Sequence, residues 1–165
     1  MTAMTSAAPI ATRHGTFVAQ FNDIGLCRLD FPGKARGPKP AQKPTGLGKR
    51  WLAATAAALE SLLLGRAPSR LPPLDLSAGT GFQQTVWAEL LNILPGQTRS
   101  YGEIAERLAK PGAARAVGSA CGANPIPVII PCHRVLAAHQ RIGGFSVGPG
   151  WKQRLLHIEQ AEFVG

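Results

Sequence analysis

The sequence predicts a mixed α/β chain of the α+β type, in which a small β-containing half precedes a helical half. Three observations lead to this prediction. Residues 16–31 alternate between apolar and polar side chains, as a half-buried hairpin does. Two capping-box patterns open helices in the second half, and a helix rich in Ala and Gly follows them. We expect an N-terminal domain over residues 1–76 and a C-terminal domain over residues 77–165.

A hairpin, a helix and a linker are expected in the first half. The hairpin turn falls at residues 22–25, between stretches of β-branched and aromatic side chains. The Ala- and Leu-rich residues 51–64 predict a helix that ends near Gly65. Prolines then predict an extended linker over residues 66–78.

The second half predicts four helices. Thr80 and Ser100 are each followed three residues later by Gln or Glu, and these capping boxes open helices that end at Pro95 and at about Leu108. Residues 113–122 form a third helix almost without large side chains, which makes a helix-turn-helix unit with the second. The alternative for this helix is ordinary close packing against another helix. A last amphipathic helix is expected over residues 150–163.

The charge of the chain favours a polyanionic partner. Its 18 Lys and Arg exceed its 9 Asp and Glu, so the net charge is +9 and nucleic acid is the leading candidate. Much of this charge lies in a basic loop over residues 33–50, which has no acidic residue. The simplest interpretation of this loop is a solvated segment, and the alternative is a dedicated DNA contact.

The cysteines and the apolar runs exclude several classes. Cys27, Cys121 and Cys132 are widely spaced, so neither a disulfide framework nor a zinc motif is expected. No apolar run approaches the roughly 20 residues of a membrane span, and the first residues lack a secretion signal. We expect a cytoplasmic protein with no membrane association, no bound metal and no cofactor.

Residues 131–135, Pro-Cys-His-Arg-Val, are the most informative stretch of the chain. A cysteine followed by histidine is a candidate activated thiol, because the thiolate is the nucleophile and a neighbouring base or positive charge promotes its formation. Nearby prolines predict an extended approach, with Cys132 on a turn at the end of a strand. Taken alone, a cysteine beside an apolar run is more typical of an inert core residue.

A set of motifs in the second half resembles a known family. In order and spacing they are similar to the 6-O-alkylguanine-DNA alkyltransferases, also called methylated-DNA–protein-cysteine methyltransferases, across about residues 77–160. The match upstream is loose. The matching motifs are Gly81-Phe82-Gln83 with Val86-Trp87, Ser100-Tyr101-Gly102, Ala114-Arg115-Ala116-Val117-Gly118, Asn124-Pro125-Ile126-Pro127, Ile130-Pro131-Cys132-His133-Arg134-Val135, Gly143-Gly144-Phe145-Ser146, and Lys152 with Leu155-Leu156 and Glu159.

The resemblance implies a fold and a function. It implies a ribonuclease-H-like N-terminal domain followed by a winged-helix-like C-terminal domain. The implied function is DNA repair, in which Cys132 accepts an alkyl group from the 6-oxygen of guanine, or the 4-oxygen of thymine, in double-stranded DNA. The thioether product has no easy hydrolytic exit, so each molecule would act once. The implied partner is alkylated DNA bound through its minor groove by a monomer.

The resemblance also assigns residue roles. It implies a relay in which His133 deprotonates Cys132 through a water, Glu159 orients His133, and Asn124 supplies a supporting hydrogen bond. Tyr101, the only tyrosine, would donate to the departing guanine. The implied substrate pocket is formed by Pro127, Val135, Phe145, Ser146 and Lys152. The implied DNA-binding residues are Arg115, which would fill the gap left by the extruded base, together with Tyr101, Ala114, Ala116, Gly118 and Ser119.

Three other functions compete with alkyl transfer. An alkyltransferase-like protein that only binds lesions would lack Cys132. A winged-helix regulator with a redox-sensing cysteine would carry an additional cysteine-rich domain, and a small-molecule cysteine hydrolase would leave the Ala/Gly helix and Arg115 unexplained. The mass of the intact protein after incubation with methylated duplex DNA distinguishes these functions, because only the transferase gains a methyl group permanently.

Overall fold

The computed structural model describes residues 5–35, 37, 40 and 42–165. It confirms the predicted α+β class. The β-strands are β1 (Ser6–Thr12), β2 (Gly15–Phe21), β3 (Leu26–Asp30), β4 (Arg99–Ser100) and β5 (Val135–Leu136). The α-helices are α1 (Leu47–Leu62), α2 (Gly81–Leu90), α3 (Tyr101–Arg107), α4 (Ala114–Gly122) and α5 (Pro149–Ile158), and short 3-10 helices span Cys132–Arg134 and Ala138–Gln140.

The first half is built on an antiparallel sheet in the order β1-β2-β3. The predicted hairpin is confirmed, since β2 pairs with β3 across the turn at residues 22–25. Strand β1 was not predicted, because its small side chains and Pro9 resemble a coil. Pro9 is tolerated because β1 pairs only with β2, and an edge strand has backbone amides that need no partner.

The linker docks onto the sheet. Leu74 forms a parallel bridge with Leu26, and the amide of Leu26 donates to the Pro73 carbonyl at 2.8 Å. Gly25 permits this approach, because a Cβ there would lie only 2.2 Å from the Pro73 oxygen. The linker therefore forms part of the folded structure. Helix α1 begins at Leu47, four residues before the predicted start.

Part of the predicted basic loop lies outside the described residues. Residues 36, 38, 39 and 41 are not described, and two of the loop's positive side chains, Arg36 and Lys39, are among them. Residues 47–50 of the predicted loop form the first turn of α1, which corrects its end, and the rest of the loop stays a prediction from composition.

Both predicted capping boxes are confirmed. The Thr80 hydroxyl accepts from the Gln83 amide at the start of α2, and the Ser100 hydroxyl accepts from the Glu103 amide at the start of α3. Trp87 on α2 donates its indole N–H to the Ala120 carbonyl of α4 at 2.8 Å. This bond and the packing of α3 against α4 fix the Ala/Gly helix in the second half.

The segment before Cys132 corrects one prediction. Residues 126–130 form a compact turn and not an extended strand, because the Ile130 amide bonds back to the Ile126 carbonyl at 2.9 Å. Val128 in this turn has a φ of 75°, which a β-branched residue rarely adopts and which costs about 1–3 kcal/mol. Cys132 therefore opens a 3-10 helix that leads into β5, which pairs in parallel with β4.

The two halves share one hydrophobic core. Phe17 of β2 and Phe31, which follows β3, pack on Trp151 of α5, with ring centroids 5.6 Å and 4.7 Å away. The division at residue 76 therefore stays a prediction.

Helix α5 ends at Ile158, earlier than predicted, which leaves Glu159 at its C-terminal cap. Within the described part of the chain, no helix is both long enough and apolar enough to cross a bilayer.

Candidate active site

Cys132 lines a cavity of about 240 Å³ between α4 and the loop that precedes α5. The cysteine is only 4% exposed, so this cavity gives access to its sulfur. The volume lies below the roughly 300–1,000 Å³ of sites for drug-sized ligands, and a small planar group is a better match. The lining residues are Tyr101, Gly118, Cys121, Gly122, Cys132, Gly144, Phe145 and Ser146. A larger cavity of about 500 Å³ between β1 and α1 is lined by neither cysteine nor histidine.

The two residues that follow Cys132 belong to a buried cluster of three ionisable side chains. His133 Nε2 is 2.9 Å from Glu159 Oε1, and Arg134 donates from Nη2 to the same oxygen at 2.7 Å. Arg134 Nε donates to Glu159 Oε2 at 3.0 Å, and its Nη1 donates to the Ile93 carbonyl. Burial of these charges is tolerated because each has a charged or hydrogen-bonded partner.

The cluster fixes the protonation of His133. Burial raises the pKa of Glu159, but hydrogen bonds from His133 and Arg134 outweigh it and lower the pKa to about 2. Glu159 is then an acceptor only, so His133 donates its Nε2–H. Burial lowers the pKa of His133 despite the opposing effect of Glu159, which favours a neutral ring. Its buried Nδ1 has no hydrogen-bond partner among the described residues and is the atom able to accept a proton.

We expect the Glu159→Gln variant to be less stable at neutral pH by about 3–5 kcal/mol, because Arg134 would remain as a buried charge without its partner. The pKa of Glu159 is depressed in the folded state, so its stabilisation is present above the unfolded value of about 4.5 and is lost as pH falls towards about 2. The difference between wild type and variant should narrow over this range.

Denaturant unfolding at several pH values measures this difference. Glu162→Gln is the matched control, since Glu162 is exposed and close in sequence. A stability difference that is small at neutral pH, or that widens on acidification, would contradict the prediction.

Lys152 is a buried cation next to the cavity. It is fully buried, and its Nζ donates to the Val135 carbonyl at 2.7 Å and the Gly144 carbonyl at 3.2 Å. Burial lowers its pKa to about 8, opposed by negative charge on Cys132 and Cys121. The ammonium is therefore the main form at neutral pH, and it stabilises negative charge on either sulfur.

Tyr101 presents a protonated hydroxyl to the cavity. Burial, followed by the charges of Cys121 and Cys132, raises its pKa to about 12. The phenol therefore keeps its proton near neutral pH and can donate it to a group bound in the cavity. Its ring lies 5.8 Å from the Lys152 ammonium, which holds it by a cation–π contact.

Asn124 supports the chain that carries Cys132. Its Nδ2 donates to the Ile130 carbonyl at 2.8 Å, and its Oδ1 accepts from the Ile126 amide at 2.9 Å. Both bonds close the turn that contains the strained Val128. Both of these Asn124 hydrogen bonds thus hold backbone atoms.

The face of α4 borders a second, more open groove of about 730 Å³. Tyr101 and Gly118 line both the groove and the cavity, so the two spaces adjoin. Arg115 lines the groove and is exposed, whereas Ala116 is exposed on α4 outside the lining. The groove is lined by Ser100, Tyr101, Gly102, Ala114, Arg115, Gly118, Ser119, Ala137 and Ala138.

The structure separates the expected pocket residues into two groups. Phe145 and Ser146 line the cavity, whereas Pro127, Val135 and Lys152 are buried outside its lining. Sequence reasoning missed Cys121 as a wall residue and Arg134 as the main partner of Glu159. The position of Arg134 directly after His133 was a signal for its role, since the same short helix carries both.

A metal site is not found in the described part of the chain. No group of three or more His, Cys, Asp and Glu side chains there is arranged to hold an ion.

Comparison with known proteins places this site in a family context. Residues 81–161 match the family model described as 6-O-methylguanine DNA methyltransferase, DNA binding domain. A methylated-DNA–protein-cysteine methyltransferase of Mycobacterium tuberculosis is 54% identical over 88 residues, which cover 53% of this chain and 53% of that protein. The chain thus spans about half the length of the first curated relatives it matches.

Two further relatives cover most of the chain. A Methanosarcina barkeri protein of the same name is 39% identical over 150 residues, which cover 88% of this chain and 91% of that protein. The crystal structure of Mycobacterium tuberculosis OGT in complex with DNA superimposes with a TM-score of 0.79 at 36% identity, covering 94% of this chain and 93% of that one.

Proposed function

Because this chain belongs to the methylated-DNA–protein-cysteine methyltransferase family, we propose that it repairs DNA by moving an alkyl group from the 6-oxygen of guanine to Cys132. The observation that carries the proposal is a buried cysteine that lines a small cavity, directly precedes a histidine held by Glu159, and lies near the exposed face of α4. The 4-oxygen of thymine is a second substrate of the same chemistry.

DNA binds along α4 through its minor groove. The small side chains of this helix let its backbone approach the duplex closely, and Arg115 enters the base stack as the damaged base leaves it. The extruded base then passes Tyr101 and Gly118 into the cavity that contains Cys132. The net charge of +9 favours the approach to DNA.

The transfer is an in-line displacement. Nδ1 of His133 takes the thiol proton of Cys132, directly or through a water, while Glu159 holds the ring by Nε2. The sulfur attacks the alkyl carbon, so a carbon–sulfur bond forms as the bond from carbon to the 6-oxygen breaks. Tyr101 donates a proton to the guanine as negative charge develops on its ring, and the proton from the thiol restores Tyr101.

The products explain why each molecule reacts once. The guanine stays in the DNA without its alkyl group, and Cys132 becomes an uncharged thioether that water does not cleave.

We propose that the protein acts as a monomer in the cytoplasm without a cofactor. The presence of all proposed site residues in one chain, and the lack of a disulfide among its three cysteines, support this proposal.

One experiment tests the function. The protein is incubated with a duplex that contains a single O6-methylguanine, and the intact mass and the Cys132 peptide are measured. A permanent gain of one methyl group on Cys132, with unmodified guanine in the DNA, is the expected result. Unchanged protein mass with bound DNA would instead indicate a lesion-binding protein.

Methylation of Cys132 is expected to lower the melting temperature by several degrees. The methyl group enters the cavity of about 240 Å³ beside a sulfur that is otherwise packed, and overlap of the extra carbon with these packed neighbours costs about 1–3 kcal/mol. The reaction also removes the negative charge that Cys132 can offer to the buried Lys152 ammonium. In a chain of this size, 1 kcal/mol shifts the midpoint by about 2–4 °C.

A thermal scan before and after stoichiometric reaction, with the DNA removed, measures the shift. Cys132→Ala treated with the same DNA is the control, and it should not change. An unchanged or higher melting temperature of the methylated protein would mean that the cavity accommodates the methyl group without strain.

A further inference from the structure

The wall of the cavity formed by Phe145 is supported by the other half of the chain. Phe31 directly follows β3 and is 2% exposed. Its ring meets Phe145 edge to face, with centroids 6.0 Å apart and an angle of 79° between the planes. Phe31 also packs on Trp151 at 4.7 Å, so it is held firmly between the sheet and α5.

The loop that carries Phe145 has few constraints of its own. Gly143 and Gly148 flank it with φ values of 67° and 98°. Lys152 donates a hydrogen bond to the Gly144 carbonyl of this loop, and the Gly148 amide donates to the Phe145 carbonyl at 3.1 Å. These bonds hold backbone atoms, so the orientation of the Phe145 ring depends on the side chains it packs against.

Strand β3 also supports the opposite side of the site. The Leu29 amide donates to the Pro125 carbonyl at 2.9 Å, next to Asn124 and the turn that precedes Cys132. Strand β3 thus contacts the segment that carries the proposed nucleophile, and Phe31 directly after it contacts the loop that carries Phe145.

We propose that Phe31 is a specificity-determining positioning residue, which limits how far Phe145 moves aside and thereby limits the size of the alkyl group that reaches Cys132. The proposal rests on the proposed function. Replacing the Phe31 ring with a smaller side chain leaves space behind Phe145, and because buried side chains fill such space only partly, the Phe145 ring can tilt away from the cavity. The cavity of about 240 Å³ then widens on the side where Phe145 lies. The wider cavity therefore raises the transfer rate of bulky alkyl groups more than that of a methyl group.

The test compares two substrates in one protein. Single-turnover rate constants are measured for Phe31→Leu with duplexes that carry O6-methylguanine or O6-benzylguanine, after titration of the active fraction. We expect the benzyl-to-methyl rate ratio to rise about fivefold or more. Phe17→Leu is the matched control, because Phe17 is fully buried in the same cluster and its ring contacts in the described residues are with Phe31 and Trp151. Its ratio should stay within about twofold of the wild type.

The ratio separates specificity from stability. A loss of folded protein lowers the active fraction and leaves the ratio unchanged. An unchanged or lower ratio in Phe31→Leu, or an equal rise in Phe17→Leu, would overturn the proposal. If Phe31→Leu does not fold, Phe31→Met replaces it, because the flexible thioether preserves more volume without the ring. A wild type that transfers neither group would contradict the proposed function, whereas normal wild-type transfer with an unchanged ratio would contradict the role of Phe31 alone.

Discussion

Cys132→Ala is expected to abolish alkyl transfer while DNA binding survives. In the proposed mechanism the sulfur accepts the alkyl group, and no other residue that lines the cavity is both a soft nucleophile and next to His133 in the chain. We propose that duplex DNA binds at α4 and its groove, whose lining does not include Cys132. Single-turnover transfer from methylated duplex and a binding titration with the same duplex measure the two effects separately.

Two further cysteine variants serve as controls. Cys27 lies in β3, and the Cys27→Ala variant should transfer the alkyl group at the wild-type rate. Cys121→Ala should also keep the chemistry, although Cys121 lines the cavity, because burial and the charge of Cys132 raise its pKa to about 12 and keep it a thiol. Transfer by Cys132→Ala at a tenth of the normal rate or more would show that Cys132 is not the alkyl acceptor.

Arg115→Ala is expected to slow repair of duplex DNA by about tenfold to a hundredfold, with much less effect on a free alkylated base. Extrusion of a stacked base costs a few kcal/mol, and each 1.36 kcal/mol corresponds to a factor of ten in rate. A free base needs no extrusion. Rate constants for methylated duplex and for free O6-methylguanine, measured in parallel, test the prediction.

The control removes the same charge elsewhere. Arg70→Ala changes an exposed arginine beside α1 that does not line the α4 groove. This variant should change the rate constants for methylated duplex and for the free base only slightly. Equal losses on duplex and free base in Arg115→Ala would assign Arg115 to the cavity, and equal losses in both arginine variants would indicate a general effect of charge.

The buried cluster explains how His133, the proposed general base, can be both neutral and held in one orientation. Glu159 alone would favour a protonated His133, because a nearby carboxylate stabilises the imidazolium. Arg134 compensates the charge of Glu159 through three hydrogen bonds and lies 3% exposed. The Glu159 carboxylate can then orient His133, while burial lowers the pKa of His133.

The sequence by itself determined the features that depend on neighbours along the chain. The capping boxes at Thr80 and Ser100, the hairpin turn and the α+β class depend on contacts within a few residues, and the structure confirms each of them. The candidate nucleophile and its histidine are consecutive, so one motif identified both. The family followed from motifs whose order and spacing are preserved along one half of the chain.

Only the tertiary structure decided the contacts that join distant residues. The pairing of Arg134 with Glu159 spans 25 residues, the docking of Leu74 on Leu26 spans the first half, and Phe31 meets Phe145 across both halves. Local pattern carries no information about such pairs, because side-chain type and spacing leave many partners possible until the chain packs. The turn before Cys132 was misjudged for the same reason: its prolines exclude a helix, but the choice between an extended and a turned path depends on Asn124 bonding to both of its ends.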